Sequence, residues 1–587
     1  MSVSGGSDRI ATAGEKHDIE NVENTLTPHE GGNDNTLTTL NGSEVEMTWK
    51  TWLVIFILSS TFGLSFWPVP TTGAMQSQIV AWFGGNQALV GWYVPAYTTA
   101  NAIGFLLAGT NSDLFGRRIF LLFGNAVCCV GFIVTATAHG SQQFIAGLAI
   151  TGFGGGFCQM AMCSIPELMP NKYRHIGICL SDGFVFVIVV IGPVIGKYVI
   201  DGDETTWKYI YWAGFIAQFL SLLGIAFLYF PPKHPRGIPW KDALRGLDYV
   251  GCILVVPGIC LTLVGIINTS SMSSKSPAVI GPMVSGFGVL ILFGIWETVS
   301  NVKYPLCPPH IFRYKNGREF TAPFIVAFIV TMFYYSINVL WPTMISVFYV
   351  DATTPRSTQL LLTLPANLGL VFGAMMLICF GDMIKHWKMT LILSWSGMTL
   401  FGGLMALVTP YNKGMMIAFT FMMQSFFGWA QYESVAFTQL GVPQEELGIS
   451  GGLAGVGRYA GGSLATAIYM SVLTNTQKSR AAATVPQAAI AAGLDSKYGQ
   501  QLLAAFSLGS SALEAVPGIN DSILAAASDA WKWSYAHGLK ITALSSLSFA
   551  GLGLICCFLC LDIGDKMNGK TEIFLENDVH HEKNKYH

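Results

Sequence analysis

The sequence predicts an all-α polytopic membrane bundle of fourteen spans, and three observations predict it. Hydrophobic residues make up 52% of the 587 positions and charged ones 11%, against about 25% charged in an ordinary soluble domain. Apolar runs long enough to cross a bilayer recur along most of the length. Lys and Arg cluster in alternate connections between those runs, the asymmetry that orients membrane helices. The formal net charge is −2, so nothing points to a nucleic-acid partner.

Residues 1–50 are polar and rich in Asn, Thr, Gly and Glu, which reads as a disordered cytosolic tail without a cleavable signal. Residues 51–231 form a first six-helix bundle, with spans at 52–71, 89–108, 119–138, 143–164, 178–200 and 209–230. Residues 232–319 insert two more spans, 249–268 and 279–300, with cytosolic loops. Residues 320–561 form a second six-helix bundle, with spans at 320–345, 358–380, 389–408, 415–437, 448–474 and 538–561. Residues 562–587 are a second cytosolic tail.

Orientation follows from charge. Arg117/Arg118, Lys172/Arg174, Lys233/Arg236/Lys241/Arg245, Lys303/Arg313/Lys315/Arg318 and Lys385/Lys388 lie on one side, while the alternate loops carry few bases. Lys197 and Lys208 are offset there by Asp201, Asp203 and Glu204. Both termini are therefore expected in the cytosol. Segment 475–537 lies outside, with Ala- and Ser-rich stretches suited to surface helices and a glycosylation sequon at Asn520-Asp521-Ser522. Of the twelve cysteines all but Cys307 lie in apolar runs, so neither a disulfide framework nor a metal site is expected.

The two bundles echo each other weakly. The loop Gly109-Thr-Asn-Ser-Asp113-Leu-Phe-Gly116-Arg117-Arg118 has its counterpart in Gly381-Asp382-Met-Ile-Lys385-His386-Trp-Lys388, which lacks the glycine four residues before the acid. In the first loop Gly109 and Gly116 permit close packing and an unusual turn. Asp113 suits the capping of a neighbouring helix N-terminus. Arg117 and Arg118 suit bridges to acids at inner helix ends, Glu167 among them. Together these residues read as a latch on the cytosolic face; the alternative is that they only anchor helix ends.

A second motif, Gly183 with Gly192-Pro193-Val-Ile-Gly196, combines a proline kink with small residues that admit a neighbouring helix. Ionisable residues inside spans are functional candidates by default. Asp182, Glu433 and Arg458 qualify, the two acids as proton sites and the base as a substrate or pairing group, with Glu433–Arg458 as one static pairing. Trp67, Tyr335, Trp341 and Tyr432 are aromatic candidates for a cavity lining, Trp67 and Trp341 also as lid elements at corresponding places in the two halves.

The Gly109–Arg118 spacing resembles the signature loop between helices 2 and 3 of the major facilitator superfamily, and Gly192-Pro193 resembles that superfamily's antiporter element. Ile188 and Lys197 depart from the element's glycines, Leu148 stands at an arginine position the family links to proton transfer, and 59–70 lacks an acid. With Gly91-Trp92-Tyr93 and the stretch from Gly441-Val-Pro443 through Gly457-Arg458 to Ala467-Ile468-Tyr469, the chain is similar to the fungal trichothecene-efflux-pump-like group of fourteen-span drug:proton antiporters. The resemblance implies the major facilitator fold, alternating access, and proton-driven export of small hydrophobic toxins or secondary metabolites. It implies a small-molecule substrate, protons and the lipid bilayer as partners, no cofactor, and action as a monomer. The plasma membrane is the expected location, with the vacuolar membrane as the alternative. The rival within transport is proton-driven uptake of ferric siderophores. No Ser/His/Asp set, paired His or metal spacing supports an enzyme.

Overall fold

Nearly every ordered stretch is a helix, and the interruptions fall where proline, glycine or a buried polar residue breaks the hydrogen-bond ladder. The structure is a computed structural model. It describes residues 47–584 apart from short segments at 85–88, 90–91, 200–204, 233–239, 270–271, 273–274, 301, 352, 509–512 and 514–515. The expected N-terminal tail up to residue 46 lies outside the described residues, as do Gly91, Asp201, Asp203, Glu204, Lys233 and Arg236.

The first half holds α1 (Trp49–Phe66), α2 (Pro68–Trp82), α3 (Tyr93–Phe115), α4 (Arg117–Ala136), α5 (Ser141–Cys158), α6 (Ala161–Glu167), α7 (Arg174–Ser181), α8 (Gly183–Val199) and α9 (Trp207–Leu228). A short α10 (Trp240–Arg245) leads to the inserted pair α11 (Tyr249–Asn268) and α12 (Pro277–Val299). The second half holds α13 (Thr321–Met344), α14 (Arg356–Phe380), α15 (Trp387–Leu404), α16 (Lys413–Leu440), α17 (Leu447–Ala491), α18 (Gly499–Leu508) and α19 (Asp521–Leu559). No strand occurs among the described residues.

Among the described residues eleven helical stretches are long and apolar enough to cross a membrane. The other three predicted spans correspond to α3, α16 and α17, long helices richer in polar and small residues. The first span is two helices, because Pro68 cannot donate to the preceding turn and starts α2 at its first position. The fourth breaks between α5 and α6 at Gln159, and the fifth between α7 and α8 at Asp182.

The halves meet chiefly where α3 packs along α17, with further contact between α8 and α14 and between α7 and α16. The inserted α11 lies against α3 and α17, while α12 is peripheral and presents Val284, Ile291 and Val299 outward. Segment 475–537 is more helical than a loop: α17 and α19 run on past their apolar stretches. They close with α18 over a small core of Ala481, Val485, Leu502, Val516 and Ile523. Alanine's high helix propensity carries α17 outward, and that core holds it.

Candidate functional site

The stretch expected to act as a latch is built from one helix end meeting another. The Gly109–Arg118 stretch forms the end of α3 and the start of α4, turned at Gly116 with φ +89°, a conformation that costs a residue with a Cβ. Asp113 is thereby aimed across the interface at the N-terminus of α17. Its carboxylate accepts from Gly448 N and Ile449 N, each at 3.0 Å. These are the second and third amides of α17, whose own cap residue, Glu446, offers no side-chain bond. Asp113 thus caps a helix of the other half.

Arg117 joins the acids of the first half. Its Nη1 lies 2.7 Å from Asp113 Oδ1, and its Nη2 and Nε donate to the Glu167 carboxylate at 2.7 and 3.3 Å. Gln444 Nε2, from the second half, donates to Glu167 at 3.1 Å. Asp113, Arg117 and Glu167 are all buried. The helices come this close because Gly109 faces Gly452: a Cβ at Gly109 would lie 2.6 Å from Gly452 Cα. Arg118 points elsewhere, donating to Ala226 O at 2.8 Å and stacking 4.0 Å from the Phe230 ring, so it anchors α9 and does not join the acids.

The helix interruptions meet at a second cluster deeper in the bundle. Asp182, at the α7–α8 break, accepts from Tyr432 Oη at 2.7 Å and lies 3.7 Å from Arg458 Nη2. Its other oxygen is buried without a hydrogen-bond partner. The Gln431 amide, with its oxygen toward the guanidinium, accepts from Arg458 Nε at 2.8 Å. Gln159, at the α5–α6 break, donates to the Tyr459 hydroxyl. Arg458 is enclosed by protein yet keeps 21% of its side-chain surface accessible, so it fronts an internal space. Tyr335 stacks edge-on with Tyr334 at 5.3 Å beside it, and Asn338, one turn on, is exposed within the same helix. Irregular backbone at membrane depth is tolerated where it lines such a space.

The proline motif is used twice. Gly192 and Gly196 let α8 lie on α2, where a Cβ would come 2.9 Å from Pro70 and from Ala74 respectively, and Gly183 faces Ser59 of α1. Pro193 cannot donate to the carbonyl four residues earlier. That carbonyl, of Val189, accepts instead from Asn367 Nδ2 of α14 at 2.8 Å. Nearer the other end of α8, Arg356 donates to Lys197 O at 2.5 Å. Both bonds cross between the halves.

One expected pairing is corrected. Glu433 does not pair with Arg458; it accepts from Thr390 and, at 3.1 Å, from Trp429 Nε1, within the second half. Arg458 lies instead beside Asp182, 3.7 Å from its carboxylate. Trp341 is buried with Nε1 donating to Leu362 O at 2.8 Å, and Trp67 donates to Ile210 O at 3.2 Å; each is tied within its own half. Asn520 is exposed and caps α19 through Ile523 N at 2.8 Å.

Sequence reasoning missed Gln159, Tyr459, Asn367 and Gln444, neutral residues whose partners are remote in the chain. It also missed the packing of the C-terminal segment, for which the buried Ile563 and Leu575 in a polar stretch were the available signal. That strap touches both halves. Lys566 bonds Glu319 at 3.2 Å and Leu440 O at 2.8 Å, Ile573 N donates to Glu167 O, and Glu576 N to Phe230 O. Asp578 accepts from Thr48 and Thr51. Burial alone would raise the Asp578 carboxyl, but the bonds from Thr48, Val579 N and Thr51, with Lys50 nearby, hold it below the usual range. Glu319 is likewise lowered: burial works against this, and Lys315 and Lys566 outweigh it. Among the described residues no group of three or more His, Cys, Asp or Glu is arranged to hold a metal ion.

Two helical halves with cross-half polar contacts at interrupted helices define a membrane transporter of the major facilitator class. The bacterial proton:xylose symporter XylE shares this fold, with a TM-score of 0.50 over 89% of this chain and 97% of that one at 15% identity. The sequence profile of the fungal trichothecene efflux pump (TRI12) family matches residues 75–575, and the chain belongs to that family. It is 42% identical to the MFS-type transporter prx5 of Penicillium rubens over 534 residues, covering 90% of this chain and 94% of that one. It is 26% identical to the trichothecene efflux pump TRI12 of Fusarium sporotrichioides, covering 75% of this chain and 74% of that one.

Proposed function

We propose that the protein exports small, largely hydrophobic secondary metabolites or toxins by proton antiport with alternating access. Family membership and relatives named as efflux pumps support the direction. The observation that carries the coupling is Asp182: a buried carboxylate at a helix break, held on one oxygen by Tyr432 and bare on the other, beside an arginine of the opposite half. With Asp182 charged, its bare oxygen is open to a donor group of the substrate. A proton taken up from outside occupies that oxygen, releases the cargo there, and is itself lost to the cytosol when the site turns inward, so proton and cargo exclude each other. Glu433 is the second proton candidate, with no partner in the first half. The Asp113–Arg117–Glu167 latch, with Gly109 and Gly116, closes the cytosolic side in one state and parts in the other. Tyr335 lines the internal space, and the buried Tyr432 holds Asp182 beside it. The protein works as a monomer in the plasma membrane, with both termini cytosolic and Asn520 a glycosylation site outside.

The test is transport by purified protein in liposomes under an imposed pH gradient, with fungal toxins and ferric siderophores as cargo. Toxin movement against the proton flow is the expected result. Siderophore movement with the proton flow would replace export by uptake and keep the fold.

A further inference from the structure

Outside the transport path, the outer end of the second half carries a cavity of about 420 Å³ bounded by Thr409, Arg480, Trp533, His537 and Lys540 with the exposed Leu407 at its lip. Trp533, His537 and Lys540 recur at four- and three-residue intervals in α19, which puts them on one helical face. Arg480 enters from α17. The lining contains no acid. The neighbouring Asp529 is engaged by the Tyr411 hydroxyl. Among the described residues no ion pair holds Arg480, His537 or Lys540. Like charges gathered around one concavity repel each other, and an anion seated among them relieves that repulsion.

We infer that this cavity binds a phosphate anion, in the form of an anionic lipid headgroup. Position and lining favour an amphiphile. Lys540 falls within the predicted span 538–561 and Thr409 just after the predicted span 389–408, which sets the cavity at the outer water–bilayer boundary under the proposed topology. Its mouth is basic, while Trp533, 45% exposed, and Leu407, 54% exposed, supply an apolar rim suited to acyl chains. The volume lies within the range of small-ligand sites. Guanidinium and ammonium groups give charge-assisted bonds to phosphate oxygens, and a free phosphate would use the same groups without the rim.

The experiment is thermal unfolding of the purified full-length protein in neutral detergent. The additives are short-chain phosphatidylglycerol, phosphatidylcholine of equal chain length, and inorganic phosphate. Phosphatidylglycerol should raise the midpoint saturably, and phosphatidylcholine should not. The double variant Arg480→Gln/Lys540→Gln should weaken the effect about tenfold or more, whereas Lys478→Gln, outside the lining, should not. Equal stabilisation by inorganic phosphate would keep the site and make its ligand a soluble anion. Stabilisation absent from all additives, or equal in wild type and double variant, would overturn the site and leave these residues as interfacial anchors. The unfolding readout is independent of transport, so it stands apart from the fate of the proton-antiport reading.

Discussion

The two corresponding loops, after α3 and after α14, carry an acid at the same place and use it differently. Asp113 is buried and reaches the second and third amides of α17. Asp382 keeps 56% of its side chain exposed and lies 3.9 Å from His175 Nε2 at the start of α7. The receiving helices explain this. The second residue of α17 is Gly448, which leaves its amide open, and the second residue of α7 is His175, whose ring fills the same place and packs 5.0 Å from Trp387. The helix four residues back adds to it: Gly109 in one half, the partly buried Ile378 in the other. A duplicated architecture can thus keep a latch in one copy and lose it in the other through two small-to-large differences.

The largest expected effect breaks the intact copy. Arg117→Ala leaves Asp113 and Glu167 buried without their base, a penalty of about 3–5 kcal/mol on the closed arrangement. Vesicle flux should be lost in this variant. Asp113→Asn should also abolish flux at normal surface expression; lost expression alone would mean that the residue only holds the fold.

Next is the deeper cluster. Asp182→Asn should remove accumulation driven by a pH gradient and spare substrate exchange, read in the same liposomes. Glu433→Gln should leave the gradient response. If Glu433→Gln alone removes it, coupling runs through the second half.

The strap sharpens the comparison where the C-terminal segment meets both halves. The lowered Asp578 pKa means its docking is complete above the ordinary Asp value of about 3.9 and is lost as pH falls through the lower folded value. Limited proteolysis of the C-terminal segment should therefore accelerate only below that pH in the wild type. In Asp578→Asn it should already be faster at neutral pH.

A smaller effect belongs to Pro193. Asn367→Ala removes one cross-half bond worth about 1 kcal/mol, and Pro193→Ala returns a donor to Val189 O. If that bond matters, each variant slows flux severalfold, and the double variant is no worse than Pro193→Ala. The smallest belongs to the unlatched copy: Asp382→Asn should change flux and stability by less than about 0.5 kcal/mol, and a loss as large as that of Asp113→Asn would refute the asymmetry.

The chain itself determined much of this. Apolar runs with basic loops require helices across a bilayer, because backbone groups in lipid must be satisfied within the segment. The spacing of Gly109, Asp113, Gly116 and Arg117 is local, so the bend, the cap and the base were legible in it. The Pro193 kink was legible as well, since proline's missing donor is a property of one residue. What only the tertiary structure decided is who receives each group. Asp113 finds Gly448, Asp182 finds Tyr432 and Arg458, and Val189 O finds Asn367, each across the interface between the halves. The sequence suggested Glu433 as the partner of Arg458; the tertiary structure brings Asp182, at the α7–α8 break, to it instead. Pairings between elements hundreds of residues apart depend on how helices rotate and approach, and no local pattern of residues encodes that rotation.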